Sequence, residues 1–181
     1  MILGLDNAGK TTFLEKAKAD FTDGYRPLPI DRITTTVGLN VGNIKIDNIL
    51  LKFWDLGGQT DLQGLWDNYY SEAHGILFLV DSDDSSRYNE SKEVFFKMIK
   101  NPNLEHVPLL ILFNKHDLVG STSLTVLKQL FDESSPFVMA RDCSIEYVSA
   151  LTGYGVRESI QWIKDKILKN AYRKPPTHAE I

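Results

Sequence analysis

The sequence predicts an α/β fold in which a mostly parallel sheet is covered by helices on both faces. Three observations carry this expectation. Ile76–Val80 and Leu109–Phe113 are continuous apolar runs of strand length, without the alternation of a half-exposed strand. Segments of helical period lie between such runs, the pattern of βα units. Gly4-Leu5-Asp6-Asn7-Ala8-Gly9-Lys10-Thr11 fits the pattern G-x-x-x-x-G-K-[ST], which has physical meaning where a strand passes into a helix.

Each element follows in order. Met1–Leu3 is the stub of a first strand, and a helix is expected from about Lys10 to Ala19. Gly24–Asn40 reads as loop, broken by Pro27 and Pro29. Leu39–Ile46 and Ile49–Asp55 are strands joined by Asp47-Asn48, a dipeptide suited to a tight turn, so they should pair antiparallel. Buried strands at Ile76–Asp81 and Leu109–Asn114 flank a helix from about Ser85 to Lys100. A further helix covers about Ser123–Phe131, and a last strand ends near Ser149. Gly155–Asn170 closes the fold as an amphipathic helix, with Val156, Ile160, Ile163 and Ile167 on one side. Lys174-Pro175-Pro176 stops regular structure, so the expected division is one domain over residues 1–172 and a short tail over 173–181.

Composition narrows the function. A chain of 181 residues, 43% hydrophobic and 24% charged, buries a core without disulfides or a structural metal and is expected to be monomeric. Its net charge of -4 argues against nucleic acid as a partner, because such binders neutralise phosphates with a basic stripe. Cys143 is the only cysteine, which excludes an intramolecular disulfide and fits a reducing compartment. No apolar run approaches the roughly 20 residues that cross a bilayer. Neither end carries a signal peptide or a lipidation signal.

The glycine-rich loop is the first chemical motif. Gly4 and Gly9 free the backbone so that the N–H groups of Asp6, Asn7, Ala8, Gly9, Lys10, Thr11 and Thr12 can gather around phosphates at a helix N-terminus. Lys10 adds a point charge, and the Thr11 hydroxyl suits a magnesium ion. Kinases, ATPases and GTPases all use such a loop, so other segments must choose among them.

Asn114-Lys115-His116-Asp117 follows an apolar strand, where open α/β sheets bind ligands. The Asp117 carboxylate can accept from the ring N–H and exocyclic amine of guanine, a pair adenine lacks. The Lys115 methylenes suit the base plane, and Asn114 can brace the phosphate loop. A backbone N–H of Ser149-Ala150-Leu151 is suited to the guanine carbonyl. His116 is expected to point to solvent.

Phe53-Trp54-Asp55-Leu56-Gly57-Gly58-Gln59 begins as a strand and breaks at paired glycines. Asp55 is placed to hold magnesium through water, the Gly58 N–H to bond a γ-phosphate, and Gln59 to orient an attacking water. Upstream, Thr34-Thr35-Thr36 offers a hydroxyl to the same cation, and chemistry alone leaves the three equivalent. Asp6 is expected to present negative charge toward the γ-phosphate and keep hydrolysis slow.

Taken together, these motifs resemble the ADP-ribosylation-factor family of small GTPases over nearly the whole chain. Gly4–Thr12, Thr36-Val37-Gly38-Leu39-Asn40, Trp54–Gln59 and Asn114–Asp117 fall in family order and spacing. Thr34–Thr36, Arg141-Asp142-Cys143 and Ser149–Gly153 are most similar to the related-protein branch that works at the trans-Golgi. The resemblance implies a three-layer P-loop NTPase fold, with a six-stranded sheet and one antiparallel edge hairpin. It also implies slow GTP hydrolysis to GDP with Mg2+, Lys10 and Gln59 as catalytic residues, and Thr36 as the switch threonine. An effector surface at Leu39, Trp54 and Tyr69 and sliding of the Asn40–Trp54 hairpin follow from the same likeness. Implied partners are an exchange factor, an activating protein and trafficking effectors, at the cytoplasmic face of Golgi and trans-Golgi membranes and in the cytosol. Peripheral membrane association is expected through an N-terminal segment not contained in this sequence. Two readings compete: a small-molecule kinase, which needs clustered arginines that Arg26, Arg32, Arg87, Arg141 and Arg157 do not form in sequence, and a nucleotide-locked binding module, which Gln59 opposes.

Overall fold

A computed structural model describes residues 1–118, 124–131 and 136–175. Six strands form one sheet in the order β2-β3-β1-β4-β5-β6. They are β1 (Ile2–Leu3), β2 (Leu39–Ile46), β3 (Ile49–Leu56), β4 (Ile76–Asp81), β5 (Leu109–Asn114) and β6 (Cys143–Tyr147). β2 and β3 pair antiparallel, from Leu39 opposite Leu56 to Ile46 opposite Ile49, and every other pair is parallel. The β2–β3 turn places Asp47 at φ 55, a left-handed position that Asp tolerates better than most residues.

Among the described residues six helices surround the sheet: α1 (Lys10–Phe21), α2 (Thr60–Gln63), α3 (Tyr88–Ile99), α4 (Leu124–Leu130), α5 (Pro136–Met139) and α6 (Val156–Lys169). Alternation within β4 and β5 explains why both faces need cover. Phe78, Val80, Ile111 and Phe113 enter one core with Trp66, Phe95 and Phe131. Leu77, Leu79, Leu110 and Leu112 enter another with Phe13, Leu14, Val156 and Ile160 from α1 and α6. Among the described residues no helix is long and apolar enough to cross a membrane.

The structure moves several boundaries. Ser85–Arg87 form a separate 3-10 turn before α3, because Arg87 N–H donates to Asp84 O at 3.2 Å. β6 ends at Tyr147, two residues short of the expected end, where Val148 N–H still donates to Phe113 O at 3.0 Å. α2, α5 and the 3-10 segment Trp66–Glu72 add structure in stretches without a periodic apolar pattern. Of the expected tail, residues 176–181 lie outside the described residues.

β1 is flanked by β3 on one side and β4 on the other, so the loop after it opens at the point where strand order reverses. Four aromatic rings, Phe78, Phe95, Phe113 and Phe131, knit the core on the α3 side, with Phe95 contacting Phe78 and Phe131 edge-on at 5.1 Å each. Phe95→Ala should therefore cost about 3–5 kcal/mol, with the midpoint of urea unfolding falling to match. An unchanged midpoint would show that this face does not hold the sheet.

Candidate functional site

The phosphate-type loop turns back on itself through positive φ at Gly4 (135), Asn7 (60) and Gly9 (86). Side chains at its two glycines would collide with neighbours: a Cβ on Gly4 would lie 2.2 Å from Leu79 O, and one on Gly9 2.2 Å from Asn114 Nδ2. Gly9 caps α1, so the loop delivers its residues to the positive end of that helix. Asp6, Asn7 and Ala8 form the curl, and Thr12 lies half-buried in the first turn beyond it. Lys10 is buried, and its Nζ donates to Gly4 O at 3.0 Å and Leu5 O at 2.7 Å. Burial lowers its pKa to about 8, against the pull of Asp55 and Asp6.

Three oxygens from distant segments converge beside it. Thr11 Oγ1 donates to Asp55 Oδ2 at 2.6 Å and lies 2.8 Å from Thr36 Oγ1, which is itself 3.5 Å from Asp55 Oδ2. Of the three adjacent threonines, Thr36 is the one brought here. Asp55 is fully buried, and among the described residues its Oδ1 has no hydrogen-bond partner. Burial pushes its carboxyl pKa up, opposed by the Thr11 hydrogen bond, the Lys10 charge and hydrogen bonding from Asn40 and Thr36. A buried carboxylate oxygen without a donor is costly unless a cation or its water shell completes it. Hydroxyls and a carboxylate are hard donors that fit Mg2+ with its retained waters. Among the described residues no cluster of three or more His, Cys, Asp or Glu offers an all-protein metal cage, so phosphate and water oxygens would fill the remaining shell.

The paired glycines bring a third backbone into this knot. Gly57 N–H donates to Gly38 O at 2.9 Å, and a Cβ on Gly57 would sit 2.6 Å from Thr36 O. A Cβ on Gly58 would lie 2.3 Å from Leu5 C and 2.4 Å from Asp6 N. Only glycine lets the 57–58 backbone press against both the phosphate loop and the 36–38 segment. Gln59 follows, exposed, as the residue that precedes α2. Two supports here have no motif to mark them in the sequence: Trp66 Nε1 donates to Gly57 O at 2.9 Å, and Gln63 Nε2 to Gly58 O at 3.0 Å.

Asp6 is not the bare charge expected. Arg87 Nη2 donates to Asp6 Oδ1 at 2.7 Å and Nη1 to Asp6 O at 3.2 Å, while Nε binds Glu90 at 2.8 Å. The guanidinium neutralises the carboxylate and ties the loop to α3. Nothing local in the sequence marks this pair, whose members are 81 positions apart.

At the opposite end of the loop, Asn114 joins three segments. Its Nδ2 donates to Ala8 O at 2.8 Å and its Oδ1 accepts from Ala150 N–H at 2.9 Å. A reading of the base by the Ala150 amide would compete with that brace. Lys115, at φ 65, pairs with Asp81 at 2.6 Å. Asp117 is exposed, and its Oδ1 accepts from Ser149 Oγ at 2.6 Å. His116 does not point to solvent: its ring stacks on Tyr147 with centroids 4.3 Å apart and planes 19° apart.

On the outer face of the hairpin, Trp54 meets Tyr69 edge-on at 5.4 Å, and Val41 lies directly across from Trp54. Leu39 is 39% exposed and Val41 44%, so Val41 extends the apolar patch expected from Leu39, Trp54 and Tyr69.

A phosphate-type loop at the reversal point of a parallel sheet, with a hard-cation cluster on one side and an Asn-Lys-x-Asp turn on the other, defines a P-loop nucleotide-binding protein. Comparison with known proteins gives the family. The ADP-ribosylation factor family model matches residues 1–167. ADP-ribosylation factor-related protein 1 of Bos taurus is 47% identical over 181 residues, covering 100% of this chain and 90% of the relative. ADP-ribosylation factor-like protein 3 of Saccharomyces cerevisiae is 40% identical over 179 residues, covering 98% and 89%. The solved Arl6 BBS3 small GTPase of Trypanosoma brucei, with bound nucleotide analogue GppNp, superposes with a TM-score of 0.80 at 28% identity, over 93% of this chain and 95% of that one. The chain belongs to the ADP-ribosylation factor family of small GTPases, which bind GTP and GDP with Mg2+ and hydrolyse GTP.

The Asp117 carboxylate, held by Ser149 and facing outward, is the group in this turn suited to reading guanine. Asp117→Asn should shift preference from guanine toward xanthine nucleotides, as measured by competition for a fluorescent GDP analogue. Retained guanine preference would remove Asp117 from base reading.

Proposed function

We propose that this GTPase is a switch for Golgi and trans-Golgi membrane trafficking, recruiting effectors in its GTP state. The observation that carries the switch is the convergence of Thr11, Thr36 and Asp55 with Gly57-Gly58 packed against the phosphate loop. One γ-phosphate placed there touches the anchor points of both flexible segments at once, so its loss on hydrolysis releases both. The domain responsible spans residues 1–172, with residues 173–181 as a short tail.

The roles follow from position. The amides of Asp6–Thr12 and the Lys10 ammonium bind the phosphates, and Lys10 exchanges its loop carbonyls for phosphate oxygens. Thr11 and Thr36, with Asp55 through water, hold Mg2+, which neutralises phosphate charge when bound. Gly58 N–H donates to the γ-phosphate, and Gln59 orients a water. That water attacks the γ-phosphorus as the bond to the β–γ bridging oxygen breaks, giving GDP and phosphate. Asn114, Lys115, Asp117, Ser149 and Ala150 form the base pocket. Leu39, Val41, Trp54 and Tyr69 form the effector surface, an apolar patch whose hairpin is tied to the switch through Asp55 and Gly38.

The trans-Golgi assignment rests on likeness over the whole chain to ADP-ribosylation factor-related protein 1, together with Thr34–Thr36 and the Ser149–Gly153 loop. An ADP-ribosylation-factor-like role at another organelle is the competing reading. A monomer acting with an exchange factor and an activating protein, attached peripherally to the membrane, completes the proposal.

Gln59→Leu should slow single-turnover GTP hydrolysis at least tenfold while sparing nucleotide affinity, whereas Thr11→Asn should weaken Mg2+-dependent GTP binding; tenfold corresponds to about 1.4 kcal/mol of barrier. In cells, tagged Gln59→Leu should concentrate with trans-Golgi markers and Thr11→Asn should disperse. Accumulation of Gln59→Leu at a different organelle would overturn the Golgi role while leaving the switch intact.

A further inference from the structure

His116 occupies the variable position of the Asn-Lys-x-Asp turn, and its side chain packs on aromatic rings. Its ring stacks on Tyr147 of β6 at 4.3 Å and lies tilted against Tyr154 at 5.9 Å. Among the described residues its Nδ1 is buried without a hydrogen-bond partner. Polar anchoring at that nitrogen is therefore missing, and the aromatic face orients the ring.

The ring connects two loops that each contribute to the base pocket. On one side, His116 N–H donates to Val148 O at 3.1 Å, and Lys115 beside it holds a left-handed φ of 65 that needs support from its surroundings. On the other, Tyr154 O accepts from Ser149 N–H at 2.9 Å, closing the loop whose Ser149 Oγ bonds Asp117 at 2.6 Å. A displacement of either loop would move Asp117 relative to Ser149 and Ala150.

We propose that His116 is a positioning residue for guanine recognition: its stack on Tyr147 and Tyr154 locks the Asn114–Asp117 turn to the Ser149–Gly155 loop and slows release of the nucleotide. The stack acts on dissociation, because it braces the base side of the site and not the phosphate loop. This rests on guanine-nucleotide binding by the chain, which the parent protein tests separately in the same assay.

The experiment measures release and capture of N-methylanthraniloyl-GDP by stopped flow at saturating Mg2+. His116→Gln and Tyr147→Leu should each release it about three- to tenfold faster with capture rates unchanged, the range expected for loss of an aromatic pair. His116→Phe, which keeps a stacking face without the ring nitrogens, should restore release to the parent rate. The double variant His116→Gln, Tyr147→Leu should be no faster than the faster single one, because both remove the same contact. Release by His116→Gln at the parent rate, or by His116→Phe as fast as by His116→Gln, would overturn the proposal. If His116→Gln loses cooperative melting, Tyr154→Ser decides: Tyr154 is 62% exposed, so faster release supports the stack and parent-like release refutes it. A parent chain unable to retain the labelled GDP would overturn both this inference and the nucleotide reading, an outcome distinct from normal retention with insensitive variants.

Discussion

The buried carboxylate of Asp55 is the constraint on which the arrangement depends. It lies one residue before the end of β3 inside the protein, accepts from Thr11 of the helix that follows the phosphate loop, and lies within reach of Thr36 from an otherwise exposed segment. One oxygen remains buried and unsatisfied among the described residues. That desolvated charge makes the site responsive to ligand: a cation with phosphate oxygens would complete it, beyond the few hydrogen bonds that join the three segments on their own.

Glycines transmit this local chemistry through the backbone. Gly58 presses on Leu5 and Asp6, and Gly57 on Thr36, at distances where any Cβ would force the chains apart. The same principle operates on the base side, where Gly9 makes room for the Asn114 amide to bind Ala8 and Ala150 together. The phosphate loop is thus gripped from both sides, by residues whose own segments carry the proposed switch and the proposed base pocket. Arg87 adds a third hold through Asp6, half-exposed and therefore worth only a fraction of the close backbone packing.

Much of this was legible in the sequence where chemistry is local. The Gly4–Thr11 pattern, the Asn114–Asp117 turn and the Asp55–Gln59 break are contiguous, and each needs particular residue types at fixed spacing. β4 and β5 were legible to the residue because continuous apolar runs bounded by polar ends leave little freedom. Boundaries slipped where short-range hydrogen bonds compete with helix or strand, as at Ser85–Arg87 and after Tyr147. Side-chain pairs between separate segments were invisible: Arg87 with Asp6, Trp66 with Gly57, and His116 with Tyr147 lack any periodic or motif signal. The expectation that His116 faces solvent failed because polarity was read without its aromatic neighbours, which exist only after β5 and β6 align.

The terminal phosphate adds to the contacts that bring residues 34–38 and 57–58 against the phosphate loop, so its loss should loosen both segments. Amide hydrogen exchange of the Mg2+-loaded chain, compared between GDP and a non-hydrolysable GTP analogue, tests it most directly. Protection should rise in both segments together with the triphosphate and stay level in β4 and β5. Equal protection of both segments in the two nucleotide states would contradict the account.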